Sequence, residues 1–513
     1  MAIQQPQTAG IQIIRLLLPL LAPALLLACK KESRTPPELT ASRDTVVLRS
    51  DAESSTTFLV TASGPWQLVA TGEGFTADPT TGPAGESLVT LTATQANDGR
   101  RRELGSVTLS LATGAVTTSV AVAQAAAVAQ QTVLMYFPWS GGATASGALT
   151  SYFRQNIAEM ERIVAEEAPE ECRLLVYFME SASSAELFEI YRDNDEAVRL
   201  PLRRYASMPE EEGVQELPAH TTAEGIASIL EEVRTTAPAQ RYAMTIGCHG
   251  MGWIPASASA LRANAAREPE REYWEYASDD RPLTRWFGGT SARYQTDIEM
   301  LAAGIAAAGM TMEYILFDDC YMSSVEVAYA LHEVARHLIG STSEVMAVGF
   351  PYATMGHYLL GEPDYAAICQ AFYDFYMGYM YPYGTIGVTN CSQLKALAAI
   401  MRRINDTHTF DARQLDDLQR LDGYSPVRFF DLGDYVRHLC TDAALLAEFE
   451  EQLERTVPED FRRNTPMYYS MTNGENPIYT FSGITTSDPS ISGYTIEAKR
   501  TTAWWQATHA EGN

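Results

Sequence analysis

Three kinds of hydrophobic pattern follow one another along the chain. Residues 11–28 are apolar apart from Gln12 and Arg15. Residues 37–126 alternate instead. Val89, Leu91 and Ala93 stand at every second place, as do Val107, Leu109 and Leu111, then Val116, Thr118, Val120 and Val122, with turn signals at Ser63-Gly64-Pro65 and Asp78-Pro79. Period-two runs between turns predict a small antiparallel β-sandwich. Residues 125–131 form an Ala/Gln linker. From there, short apolar runs at 132–137, 173–178 and 186–191 predict strands. Helical spacing predicts helices at 149–167, at 221–235 with Thr221 or Thr222 as cap, at 297–308, and in the aromatic-rich stretch 365–380. Strands alternating with helices predict a mostly parallel sheet flanked by helices. The expected order is therefore multidomain: a sandwich at 37–126, an α/β domain at 131–385, and a C-terminal subdomain at 386–513 that supports the sheet.

Two further apolar runs end in chemistry. Residues 242–247 run into Cys248-His249-Gly250, and residues 314–317 into Asp318-Asp319-Cys320. Open α/β folds place their reactive groups at the rim where strands end. A nucleophilic thiol needs a base within hydrogen-bond reach, and the two can be far apart in sequence. A helix following at once would favour a thiolate at its N-terminus. The competing reading is that Cys320 is a small buried hydrophobe. On an extended strand, Asp318 leaves on the same face as Cys320 and Asp319 on the other. Cys248 faces away from His249 and reads as core.

This pairing resembles the clostripain family of cysteine peptidases, relatives of caspases and gingipains. That family carries His-Gly after one strand, Asp-x-Cys after the next, and a helix reading Met-x-x-Val-Glu-x-Ala-Tyr. Here those places hold His249-Gly250, Asp318-Asp319-Cys320 and Met322-Ser323-Ser324-Val325-Glu326-Val327-Ala328-Tyr329, and the resemblance spans residues 131–510. It implies a caspase-like fold and endopeptidase activity through a Cys320–His249 dyad and a thioester. It also implies an oxyanion site from the backbone N–H groups of Gly250 and Cys320, and Asp318 at the floor of an S1 pocket that takes Arg or Lys. Residues 339–352 resemble the loop lining the cleft, which makes Glu344 a second pocket candidate. The stretch 254–295, with Arg262, Arg267, Arg271, Arg281, Arg285 and Arg293, is expected to border the site, and in this family such a loop can carry a self-cleavage point after a basic residue. No cofactor is required. Calcium enters by resemblance only, because no EF-hand-type loop is present. A binding protein on a retired peptidase fold, or a transpeptidase, would share these residues.

Charge and ends narrow the partners. The 513-residue chain carries −27, which argues against nucleic acid. The first 28 residues hold one basic residue and no acid, so a chain beginning at Cys29 carries −28. Leu26-Leu27-Ala28-Cys29 resembles a bacterial lipoprotein site. A signal peptide at 1–28, a lipid anchor at Cys29 and a tether at 29–36 are expected, with the protein exported to the cell envelope. Seven cysteines without a CxxC pair support neither a zinc ribbon nor a disulfide scaffold, and no HExxH is present. His332 and His337 fall at spacing five on an expected helix, which does not suit a shared metal. Trp66, the turns after it and Arg101-Arg102 resemble a BACON-type domain, a sugar-binding module or a spacer, with Trp66 expected in its core.

Overall fold

The computed structural model describes residues 36–510 except 100, 115, 143–144, 146, 168, 170, 194–195 and 256–287. The Cys29 anchor and most of the arginine-rich stretch lie outside the described residues. No helix among the described residues is long and apolar enough to cross a membrane.

The N-terminal domain is a two-sheet sandwich. One sheet orders Leu39–Ala41, Ser55–Ala62, Gly85–Ala93 and Phe75–Asp78; the other orders Thr45–Leu48, Thr117–Gln124, Arg102–Leu111, Trp66–Gly72 and Thr81–Gly82. Alternation does the work: in Ser55–Ala62 every second side chain is buried. Phe58, Val60, Trp66, Val89, Leu91, Val107, Leu109, Val120 and Val122 meet between the sheets. One pairing departs from the antiparallel expectation, since Thr45–Leu48 runs parallel to Thr117–Gln124.

Among the described residues, the main sheet of the second domain has ten strands: β1 Ala129–Phe137, β2 Cys172–Ser181, β3 Ser184–Asp193, β4 Glu196–Ala206, β5 Val214–Glu216, β6 Ala239–Gly247, β7 Met312–Asp318, β8 Ala335–Gly340, β9 Thr385–Asn390 and β10 Arg462–Asn464. Their order is β5-β4-β3-β2-β1-β6-β7-β8-β9-β10. The centre, β2-β1-β6-β7-β8, is parallel. Both flanks turn antiparallel, at β3 and β4 on one side and β9 and β10 on the other. β7 is buried almost throughout, as a central parallel strand must be when both its faces are covered. Helix α1, Thr150–Glu167, packs on β3 and β4, while α2, Ala223–Thr236, packs on α3, Ile298–Ala307. Thr222 caps α2 through its side chain.

The expected division at 385/386 falls inside the sheet. β9 and β10 extend it, and a single apolar core runs from Val133 to Trp504. The C-terminal part is thus continuous with the α/β domain. His337 lies on β8, not on a helix with His332.

Candidate active site

Register brings the two motifs together. In the parallel pair β6–β7, Gly247 lies opposite Asp318. The chain then leaves the same rim in both cases, and equal steps beyond these partners reach His249 and Cys320. Backbone contact holds them there. A Cβ on Gly250 would stand 2.3 Å from the Cys320 carbonyl oxygen and 2.6 Å from its nitrogen, so only glycine permits this approach. His249 and Cys320 are both fully buried.

Cys320 Sγ accepts the backbone N–H of Val345 at 3.3 Å. A donor at this place favours the thiolate over the thiol. Tyr321 follows at φ 63°, a left-handed conformation that a bulky residue keeps only where its surroundings impose it. Three contacts impose it here. Its N–H bonds to Ser343 O at 3.1 Å, its ring stacks on Phe429 at 4.9 Å, and its hydroxyl donates to Glu344 Oε1 at 2.7 Å. The sharp turn delays the helix. Helix α4, Val325–Leu331, starts beyond Ser324, whose hydroxyl caps it. The helix expected to start at Cys320 thus begins only after Ser324, and the Val345 N–H is a donor at the sulfur.

His249 is oriented by a group with no sequence signal. Its Nε2 lies 3.0 Å from the carbonyl oxygen of Gly147, in the loop after β1. A carbonyl can only accept, so Nε2 carries the proton and Nδ1 is the nitrogen that exchanges one. Gly147 sits at φ 73°, a left-handed conformation open to glycine.

The acids divide their tasks. Asp318 is fully buried, and its Oδ1 accepts the N–H of Phe350 at 2.8 Å. Asp319 turns the other way and ties the strand ends together, accepting Cys248 N–H at 2.6 Å and the Cys248 thiol at 3.6 Å. Glu344 accepts from Tyr321, from Ser470 Oγ at 2.7 Å and from Met471 N at 3.0 Å. Beyond the undescribed stretch, the chain returns to the site: Gly288 O accepts the N–H of His249 at 3.3 Å, and Thr290 N–H bonds Gly141 O at 3.2 Å. Among the described residues, no group of three or more His, Cys, Asp or Glu gathers as a metal site.

The sequence model of the clostripain family, peptidase C11, matches residues 274–452. No curated protein matches the chain. Among solved structures, a secreted C11 cysteine protease from Bacteroides thetaiotaomicron, "iotapain", is 52% identical, with TM-score 0.65, over 74% of this chain and 100% of its own. The chain belongs to the clostripain family. Two more distant structures share its fold. An inactive zymogen C11 protease from Parabacteroides distasonis is 23% identical, with TM-score 0.56, over 75% of this chain and 99% of its own. A second secreted C11 cysteine protease from B. thetaiotaomicron, in complex with an irreversible peptide inhibitor, is 20% identical, with TM-score 0.58, over 74% of this chain and 98% of its own. As a clostripain-family cysteine peptidase, this protein is a hydrolase of peptide bonds.

Proposed function

We propose that the chain is an endopeptidase that cleaves after Arg or Lys through a Cys320–His249 dyad. The observation carrying this reading is the approach of Gly250 to the Cys320 backbone, which sets the imidazole-bearing loop against the thiol-bearing one. Nδ1 of His249 takes the proton of the Cys320 thiol, and the sulfur attacks the scissile carbonyl carbon. The resulting oxyanion meets the N–H groups of Gly250 and Cys320. His249, held through Nε2 by Gly147, gives a proton from Nδ1 to the leaving amine. It then takes a proton from the water that opens the thioester, which releases the acid and restores the thiol.

Asp318 is the acid for P1. It leaves the strand two residues before Cys320, is fully buried, and points at the Phe350 loop. A desolvated carboxylate without its cation costs roughly 3–5 kcal/mol, which disfavours a neutral P1 side chain. Glu344 borders the same loop. With donors from Tyr321, Ser470 and Met471, it holds the turn after the nucleophile, and the P1 contact falls to Asp318. At the described end of the arginine-rich stretch, Gly288 O accepts the N–H of His249 and Thr290 bonds Gly141.

The secreted description of iotapain supports export, and the anchor at Cys29 rests on the lipobox-like Leu26-Leu27-Ala28-Cys29. Trp66 is buried inside the sandwich, and the large apolar side chains exposed among the sandwich's described residues are Val69 and Leu88. Neither is an aromatic platform for a sugar ring, which favours a spacer.

The test uses protein beginning after Cys29, with and without calcium, on reporters carrying Arg, Lys, Ala or Asp at P1. Cleavage after Arg and Lys, abolished in Cys320→Ala and reduced about 100-fold in kcat/KM by Asp318→Ala, is the expected result. Equal cleavage after Ala would remove Asp318 from the pocket. Turnover surviving in Cys320→Ala would remove the dyad, and transfer to an added amine in preference to water would make the enzyme a transpeptidase.

A further inference from the structure

The segment Gly483–Asp488 touches both catalytic loops. Its strand Thr485–Thr486 pairs with Phe430–Asp431. On one side it grips the chain after Cys320. Ser323 Oγ donates to Gly483 O at 2.8 Å, and Thr485 N–H donates to Ser323 O at 3.0 Å. Ser487 N–H then reaches Glu326 Oε1 at 2.7 Å. On the other side it grips the chain after His249, because Trp253 Nε1–H donates to Ser487 Oγ at 2.9 Å. One residue, Ser487, thus holds α4 by its backbone and the His249 loop by its side chain. Ser487 is fully buried, and Trp253 and Glu326 are nearly so. Lys499 anchors the segment from behind, donating through Nζ to the carbonyls of Ser487, Asp488 and Ser490.

We propose that Ser487 is a positioning residue for the reaction, fixing the His249 loop relative to the Cys320 turn. The proposal rests on the dyad reading above. Hydrogen bonds from Cys248 N–H to Asp319 and from His249 N–H to Gly288 O hold the start of the loop, while the apposition of Gly250 and Cys320 beyond them is a packing contact between two backbones. The bond from Trp253 to Ser487 adds a directional restraint four residues beyond the imidazole. Ser487 touches no reacting atom. Its loss leaves substrate binding intact and lowers the fraction of complexes in which imidazole and thiol are aligned, and misplacement by a fraction of an ångström is costly in such a step.

The experiment compares wild type, Ser487→Ala, Ser487→Thr, Trp253→Phe and the double variant Ser487→Ala/Trp253→Phe on one reporter, with Cys320→Ala as control. Ser487→Ala keeps the N–H bond to Glu326 and loses only the acceptor for Trp253. The expected result is a fall of about tenfold in kcat with KM unchanged within about twofold. Ser487→Thr restores most of the rate. The double variant falls no further than either single one, because both remove the same bond. Alkylation of Cys320 by iodoacetamide slows in parallel with kcat, which a general loss of stability would not produce. Unchanged kcat in Ser487→Ala, or additive losses in the double variant, overturns the proposal. Should Ser487→Ala fail to fold, Trp253→Phe reports on the same bond from its other end, and an unchanged kcat there overturns it equally. Activity persisting in Cys320→Ala would instead defeat the dyad reading.

Discussion

Gly250 leaves no room for a side chain. A methyl group there would press on both the nitrogen and the oxygen of Cys320, and backbone atoms cannot move aside as a flexible side chain can. Gly250→Ala is therefore expected to separate the two loops and withdraw the N–H proposed to meet the oxyanion, lowering kcat by about 100-fold or more. Steady-state kinetics beside a thermal melt check this. A fully active, well-folded Gly250→Ala enzyme would show that the Gly250 N–H does not serve the oxyanion. His249, Cys320 and Gly250 were legible in the sequence because each follows an apolar run with its own residue signature. The partner of His249 was not. Gly147 acts through a carbonyl, which every residue carries, so no residue type marks it. Glu344 was legible as an acid on the right loop. Its bonds to Ser470 and Met471 lie 126 and 127 residues away and depend on the folded chain.

At the level of elements, the apolar runs of β1, β6 and β7 announced the parallel centre, since strands buried on both faces carry continuous hydrophobicity. The flanks carry less. β4 alternates weakly, and β10 is three polar residues recruited by pairing with β9. The start of α4 was misplaced because Tyr321 adopts a conformation its own residue type disfavours. The Gly483–Asp488 segment has no periodic pattern at all, yet it buries Glu326 beside Asp488 and Lys499. Burial first, then the Asp488 charge, raise the Glu326 carboxyl to about 7 from an ordinary 4.5, against donors from Ser487 and Thr486. A raised carboxyl means that the folded state holds the proton more tightly than the unfolded one. Its contribution is fully present below pH 4.5 and is lost as pH rises through 7. The difference amounts to about 3 kcal/mol at most. Glu326→Gln does not titrate, so its melting temperature should gain on wild type between about pH 5 and pH 7 and hold level above. Any fixed offset reflects the buried amide, and the slope reflects the proton. Parallel curves would show that Glu326 stays ionised throughout. Asp422, raised by burial to about 8 despite the N–H groups of Phe429 and Tyr424, leaves both proteins a residual decline toward that pH.

In the whole molecule the sandwich is fastened to the peptidase as well as tethered to it. Glu189 on β3 is almost fully buried and receives Arg173 on β2 through two bonds, at 2.8 and 2.7 Å. Arg49 reaches across from the sandwich to the same carboxylate at 3.1 Å, and its guanidinium lies 5.0 Å from the centre of the Tyr191 ring. Thr56 of the sandwich donates to Asp193 at the far end of β3. These contacts lie on the flank of the sheet, well along from the β6–β7 rim, so the sandwich can be firmly attached without touching catalysis. Arg49→Ala is the discriminating change, because Glu189 keeps Arg173 and the peptidase core stays neutralised. Arg49 is partly exposed, so the bond is worth no more than about 1 kcal/mol. That loss should appear as faster proteolytic nicking of the linker near residues 125–128, more so in combination with Thr56→Val, while kcat/KM on a short reporter stays within about twofold of wild type. Unaltered nicking in the double variant would mean that the sandwich is held by its backbone junction alone. A change in kcat/KM would mean that the sandwich reaches the active site after all.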